Sequence, residues 1–328
     1  MRSEASQPER LFPNPTSTQR QLRPCAAAES QRWPNHILLC SNGSATSEPA
    51  VLTARTLAER SNGEGDMVVV HVPEIALPPT PSRVGFDQCE PPDRERAAAL
   101  LRAVRRQRRQ LRRHPRDWPL HLEVGNPVAV IPRVAREVGA DVVVVGVGVA
   151  DPIQRQRGRR TPAFIARELP ISLLAAYPGC EELRRCVVAL PYGCAHAPTL
   201  CRALRCVASG AQVWVALPEQ RTAGHTGEPE TESPRDALLR ACGSALAEHV
   251  QALDVRWVAT AGDLSASVLR LADEVHAELI AVCIHGMPGA VRTFVPNVAE
   301  SLLVSARCSV LVVPDEPAPA SSVVQGAP

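Results

Sequence analysis

Short apolar runs, each too brief for a buried helix and each closed by a polar or glycine-containing turn, recur along the chain. Residues 36–40 (HILLC), 67–72 (MVVVHV), 120–124 (LHLEV), 141–147 (DVVVVGV) and 171–176 (ISLLAA) form one series, while 187–190 (VVAL), 279–284 (LIAVCI) and 310–313 (VLVV) belong to a second. β-Branched runs of this length without strict alternation predict strands covered on both faces, as in a parallel sheet. Between them apolar residues return at helical spacing. Val51, Ala54, Leu57 and Ala58 share one helical face, and Leu100, Leu101, Val104 and Leu111 form the inner stripe of an arginine-rich helix over 93–114. Gly125-Asn126-Pro127 opens a helix carrying Val130, Ile131, Val134 and Val138, a short helix precedes 171–176, and Asn297 is a candidate N-cap for Val298, Leu302 and Leu303.

The pattern is internally repeated. Gly125-Asn126 matches Gly262-Asp263, Ala140-Asp141 matches Ala277-Glu278, and Ile171-Ser172-Leu173 matches Cys308-Ser309-Val310, all at an offset of 137 residues. The first strands, 37–40 and 187–190, align at a slightly larger offset through Asn42-Gly43 and Tyr192-Gly193; the excess falls in connections, where length is best tolerated. Each half reads as β-α-β-α-β-α-β-α-β, which right-handed crossovers turn into a doubly wound parallel sheet. The expected organisation is a polar tail over 1–33, a first domain over 34–178, a linker over 178–184, a second domain over 184–314 and a second tail over 315–328. Both tails, and the loop 218–231, have the polar, Pro- and Gly-rich composition of segments that stay unordered. At 328 residues and 45% hydrophobic content, two domains with separate cores are expected.

Charge alters this picture in one place. All 36 basic residues are arginine, and residues 34–178 carry a net charge of about +5 against about −1 for 184–314. Ten arginines lie between Arg94 and Arg116, and Arg155, Arg157, Arg159 and Arg160 form a second group. A polyanion or nucleic acid is one reading of this surface; a solvated helix face in an arginine-biased chain is the other, favoured because aromatic stacking partners are missing apart from Trp118. Eleven cysteines include no C-x2-C pair, and Cys40, Cys186, Cys283 and Cys308 fall in the expected buried strands, so reduced core thiols are expected. No apolar run reaches the roughly 20 residues of a membrane span, which makes a cytoplasmic protein the expectation.

The turn after 279–284, His285-Gly286-Met287-Pro288-Gly289, lies between a parallel strand and a helix N-terminus, where anionic ligands sit in open α/β sheets. With the Val298-Ala299-Glu300 run and the closing Cys308-Ser309-Val310-Leu311-Val312-Val313, this stretch resembles the C-terminal half of a universal stress protein (UspA-type) domain. With the repeat, the chain resembles the tandem form of that family. The resemblance implies two flavodoxin-like or Rossmann-like (adenine nucleotide alpha hydrolase-like) units, each a five-stranded parallel sheet of order 3-2-1-4-5. It also implies that the two halves meet through their last strands as an intramolecular pseudo-dimer. The ligand it implies is ATP or another adenine nucleotide, held by G-x2-G-x9-G-[ST]. On that motif fall Cys283, Gly286, Pro296 and Asn297 in the second half, and Gly146, Val149, Arg159 and Arg160 in the first, one of four positions kept in each. Gly289 is placed to line the same turn, and the adenine-contacting aspartate of the family is replaced by Asn42 and Tyr192.

These losses predict weak or absent nucleotide binding, with any residue of it in the second half. A turn needing glycine only for its φ angles is the competing reading. No G-x-S-x-G, H-E-x2-H or G-x4-G-K occurs, and neither His285 nor His196 has a carboxylate or thiolate partner in sequence. The expected role is therefore non-enzymatic, in a stress response through a protein regulator. An ATP-binding switch or weak ATPase, and a polyanion binder, stand as alternatives.

Overall fold

The computed structural model describes residues 33–61, 66–72, 98–99, 102–103, 106, 119–123, 125–147, 161–190, 196–218, 246–284 and 298–314. In chain order the elements of the first half are β1 (His36–Cys40), a 3-10 turn (Ala45–Ser47), α1 (Glu48–Arg60), β2 (Asp66–His71), β3 (Leu120–Leu122), α2 (Pro127–Glu137), β4 (Val142–Gly146), α3 (161–168) and β5 (Ser172–Ala176). The second half follows as β6 (Arg185–Ala189), α4 (His196–Cys206), β7 (Gln212–Pro218), α5 (Ala247–Gln251), β8 (Asp254–Thr260), α6 (Leu264–Glu274), β9 (Leu279–Ile284), α7 (Val298–Ser305) and β10 (Ser309–Pro314). Within this set the strand at 141–147 is trimmed by one residue at each end, and Cys308 lies one residue before β10 instead of inside a strand. Positions 98, 99, 102, 103 and 106 of the arginine-rich segment are helical; Trp33, assigned to the first tail, packs against the core instead, and the rest of that helix, the remainder of both tails and most of the loop 218–231 lie outside the described residues.

The ten strands among the described residues join one sheet in the order β3-β2-β1-β4-β5-β10-β9-β6-β7-β8. Each half thus has the order 3-2-1-4-5, and the last strands meet as expected: β5 and β10 pair antiparallel, every other pair being parallel. Leu174 faces Leu311 in that junction, with Leu173 opposite Val312 and Ala175 opposite Val310. Leu174 and Leu311 are themselves equivalents at the 137-residue offset, so a pseudo-twofold axis runs through their pair.

This junction corrects the expectation of separate cores. Side chains alternate across a strand, so a sheet continuous through both halves divides apolar residues by face and not by half. One face carries Ile37, Leu39, Val144 and Leu174 together with Val188, Ala281 and Leu311, covered by α1 and α4. The other carries Leu38, Val143 and Leu173 together with Val187, Ile280 and Val310, covered by α2, α3, α6 and α7.

The repeat is also visible in local chemistry. Asn126 caps α2 by accepting from the Val128 N–H (3.0 Å), and Asp263 caps α6 by accepting from the Ala266 N–H (2.9 Å). Asp141 accepts from the Asn35 N–H at 2.8 Å and Glu278 from the Arg184 N–H at 2.6 Å, so in each half a carboxylate ahead of the fourth strand ties down the chain entering the first. Burial nevertheless raises the Asp141 carboxyl above its ordinary value against those hydrogen bonds.

The connection between the halves is fastened as well. Leu183 is fully buried, the Tyr177 N–H donates to Ser309 Oγ at 3.0 Å, and Arg60 of α1 donates to the Glu182 and Cys206 carbonyls, closing the C-terminus of α4. The seven described cysteines form no disulfide. Burial pushes Cys206 up to about 12 even with Arg60 beside it, and raises Cys40, Cys186 and Cys308 too, which keeps them protonated and unreactive at neutral pH.

Candidate functional site

In a sheet of order 3-2-1-4-5 the strand direction of build-out reverses between the first and fourth strands, and the crevice beyond their C-terminal ends is where ligands bind in open α/β folds. For the first half that place is bounded by the ends of β1, β2 and β4. Ser41-Asn42-Gly43-Ser44 leaves β1 and leads through the 3-10 turn into α1. Five of the seven residues in this connection carry a hydroxyl or amide, and they bond mainly to one another. Asn42 Oδ1 accepts from the Ser44 N–H (3.0 Å) and Oγ (2.7 Å), Ser44 Oγ lies 2.7 Å from Thr46 Oγ1, and Ser47 donates back to the Ser44 carbonyl (3.0 Å). This is the turn chemistry that short polar side chains offer a backbone leaving a strand. It commits the Asn42 amide oxygen to the loop.

The loop lies directly on the end of β4. A Cβ added to Gly146 would stand 2.8 Å from Ser47 Cα and closer still to the Thr46 carbonyl oxygen. Only a residue without a side chain lets the two backbones approach this far. Cys283 occupies the equivalent place in β9, with a side chain that is 1% exposed. The two halves are therefore packed differently at the first position of the phosphate-type motif.

His71, the last residue of β2, closes the site from below the loop. Its ring is fully buried and its Nδ1–H donates to the Ser41 carbonyl at 2.8 Å, while Nε2 is buried with no hydrogen-bond partner. Burial lowers its pKa, against the effect of the Ser41 bond. His249, in α5, is lowered for the same reason while bonding the Leu204 carbonyl. A histidine held neutral in the fold takes up its proton more readily when unfolded, so the unfolded chain binds more protons below the ordinary value of about 6.5. Stability is expected to be full above about pH 6.5 and to fall as the pH drops through the lowered folded values. Urea midpoints measured at neutral and mildly acid pH check this, and His71→Asn should flatten the slope. Asp141, raised by burial, acts in the opposite sense lower down, in the carboxylate range.

Of the residues singled out from sequence, the structure brings together Asn42 and Gly146, through the loop that joins them, and places Cys283 on the equivalent strand end. Tyr192, Gly286, Gly289, Asn297, Arg159 and Arg160 lie outside the described residues. Sequence reasoning passed over Ser41, Thr46, Ser47 and His71. Their signal was the density of Ser and Thr in SNGSATS after the first apolar run, and a histidine interrupting the second. Among the described residues no group of three or more His, Cys, Asp or Glu is arranged to hold a metal ion, and no helix is long and apolar enough to cross a membrane.

A profile described as the universal stress protein family matches residues 34–176 and 191–314. Among solved structures, a universal stress protein from Archaeoglobus fulgidus is 15% identical, over 86% of this chain and 96% of that one, with a TM-score of 0.58. UspA from Lactobacillus plantarum is 19% identical over 43% of this chain and 97% of its own (TM-score 0.35). A universal stress protein family member from Arabidopsis thaliana, solved with AMP bound, is 14% identical over 46% and 95% (TM-score 0.30). No curated protein matches the chain. With two profile matches that together span most of its length, and a sheet built twice on one plan, the chain belongs to the universal stress protein family in its tandem form.

Proposed function

We propose that this protein acts non-enzymatically, by binding a protein regulator in a stress response, and that its adenine-nucleotide sites are degenerate. The observation that carries the reading is the self-bonded Ser41–Ser47 loop, which lies against Gly146 at the place where the first half would take a ligand. Asn42, at the position of the family's adenine-contacting aspartate, spends its amide oxygen on Ser44. In the second half Cys283 puts a buried side chain where the motif has glycine, Pro296 removes a backbone donor, and Tyr192 is bulky enough to fill adenine's space. Gly286, Gly289 and Asn297 keep a remnant of the phosphate turn there, so residual binding belongs to that half.

Several hydrogen bonds at about 0.5–1.5 kcal/mol each separate such a site from an intact one, enough to move a micromolar affinity toward millimolar. Calorimetry of the full chain with ATP is expected to give millimolar binding or none. The variant Tyr192→Asp, Cys283→Gly, Pro296→Gly, Asn297→Ser is expected to tighten binding at least about tenfold. Micromolar binding by the parent would overturn the reading. So would mass spectrometry that finds a stoichiometric adenine nucleotide released when the freshly purified protein is denatured.

A further inference from the structure

The two halves differ in chemistry where their first strands end. Sheet register sets the equivalences: Cys40 stands beside Val70 as Ala189 stands beside Ala216, and the Ser41 N–H donates to the Val70 carbonyl as the Leu190 N–H donates to that of Ala216, both at 3.0 Å. One residue further on, His71 therefore corresponds to Leu217, and Ser41 to Leu190. Both leucines are buried. In this place the first half alone has an ionisable ring, beneath the connection that leaves its first strand.

By alternation His71 lies on the same face of β2 as Met67 and Val69, the face covered by α1, and its side chain is buried. A carbonyl can only accept, so the 2.8 Å contact with Ser41 fixes the proton of the neutral ring on Nδ1 and leaves a bare lone pair on Nε2. That atom is buried without a partner. A lone pair tolerates this, but an N–H on a positively charged ring does not, because a charged donor removed from water needs an acceptor. Among the described residues no neighbouring charge compensates. On β3, His121 and Glu123 flank the Leu122 that stands opposite His71, so both point to the other face, where Glu123 binds Arg133 of α2 at 2.8 Å. On α1, Glu48 is exposed, Arg55 pairs with Glu59, and Arg60 is held by the Glu182 and Cys206 carbonyls. Cys40 of β1 turns to the opposite face as a protonated thiol, Asp66 lies at the far end of β2, and neither the 3-10 turn nor β4 carries an ionisable group. Burial accordingly outweighs the Ser41 bond and holds the ring below its ordinary value.

The neighbour best able to yield is the loop above the ring. The backbone of His71 is held in the sheet, its carbonyl accepting from the Glu123 N–H at 3.1 Å. The Ser41–Ser47 loop bonds mainly to itself, and the contact between its end hydroxyls is long at 3.3 Å. We propose that His71 is an acid-responsive latch: taking up a proton at Nε2, it releases the Ser41–Ser47 loop from the end of β4 and opens the place where the first half would take a ligand. Water then reaches Nε2 and supplies the acceptor that the closed form lacks. The open form takes up the proton more readily, so opening is favoured as the pH falls below the ordinary histidine value of about 6.5, and the loop is latched above it. The second half, with Leu217 and Leu190 in these places, has no counterpart. The latch operates whatever the first half binds.

Amide exchange of the full chain, followed by NMR across pH and corrected for intrinsic rates, tests this without any substitution. Opening at Ser41 and Ser47, whose N–H groups bond the Val70 and Ser44 carbonyls, should rise by up to about tenfold between about pH 7.5 and about pH 5.5, the factor set by an exposed histidine titrating near 6.5. The Leu190 amide, bonded to the Ala216 carbonyl, should keep its protection over the same range. Ring nitrogen shifts should show His71 as the Nδ1–H tautomer at neutral pH. His71→Asn keeps a donor for the Ser41 carbonyl but takes up no proton, and should abolish the pH response of the loop. His71→Leu, which installs the residue type of the second half, should abolish it too, even with a looser loop. Loop exchange that ignores pH overturns the proposal, as does a response that survives either substitution. Equal loss of protection at Leu190 would mean that acid loosens the whole fold, and an Nε2–H tautomer would leave no bare nitrogen to protonate; either result overturns it as well.

Discussion

Gly146→Ala is expected to destabilise the protein by about 1–3 kcal/mol or more, out of proportion to the single methyl group it adds. The new Cβ would lie 2.8 Å from Ser47 Cα and nearer to the Thr46 carbonyl, and both neighbours are backbone, which cannot rotate away. Relief requires the loop to lift from the end of β4. The Ser41–Ser47 contact (Oγ to Oγ, 3.3 Å) and the bond from His71 to the Ser41 carbonyl would be strained with it. The control is the equivalent residue: Cys283→Ala removes only a sulfur from a position that already accommodates a side chain and should cost no more than about 1 kcal/mol. Urea denaturation of both variants measures the contrast. Equal effects at Gly146 and Cys283 would mean that the two strand ends are packed alike.

Leu311→Ala is expected to cost about 3–5 kcal/mol, the upper range for a fully buried leucine whose surroundings cannot collapse. Its neighbours are strands held by ladder bonds on both sides, and Leu174 stands directly opposite. Leu174→Ala should cost a similar amount. Because the two side chains share one cavity across the pseudo-axis, the double variant should fall short of additivity by about 0.5–3 kcal/mol. The informative readout is which half responds. Both leucines belong to a core that also contains Val69 of β2 and Val215 of β7, each next to an edge strand in opposite halves of the sheet, so amide protection in β2 and β7 should fall together. Loss confined to β9 and β10 would show that the halves are stable independently.

Much of this architecture was legible because two signals in the chain are strong: apolar runs too short for helices, and a constant 137-residue offset tying Asn126 to Asp263 and Asp141 to Glu278. Those pairs perform the same capping and tying hydrogen bonds in each half, which is why the offset survives differences elsewhere. The shared cores were not legible, since a run such as SLLAA announces burial on both faces without saying whose side chains cover it. The candidate site was half legible. Gly146 was identified as a motif position, but the need for glycine comes from the approach of Thr46 and Ser47, a tertiary contact about a hundred residues away in sequence. His71 hid inside an apolar run, because the carbonyl that it bonds belongs to another strand's end.

The junction of β5 with β10 also has a consequence for biosynthesis. β5 leaves the ribosome early, while its partner β10 follows only after roughly 130 further residues. At a synthesis rate of about 5–20 residues per second, the edge carrying Leu173 and Leu174 waits for about 7–26 seconds with its outer backbone groups unpaired and no strand to cover it. Through that interval the nascent first half presents an apolar, strand-ready margin to whatever is nearby, including the same segment on a neighbouring nascent chain. A trigger-type chaperone bound at β5, or slow pairing between chains on one polysome, would govern the yield of native protein more than the stability of the finished fold.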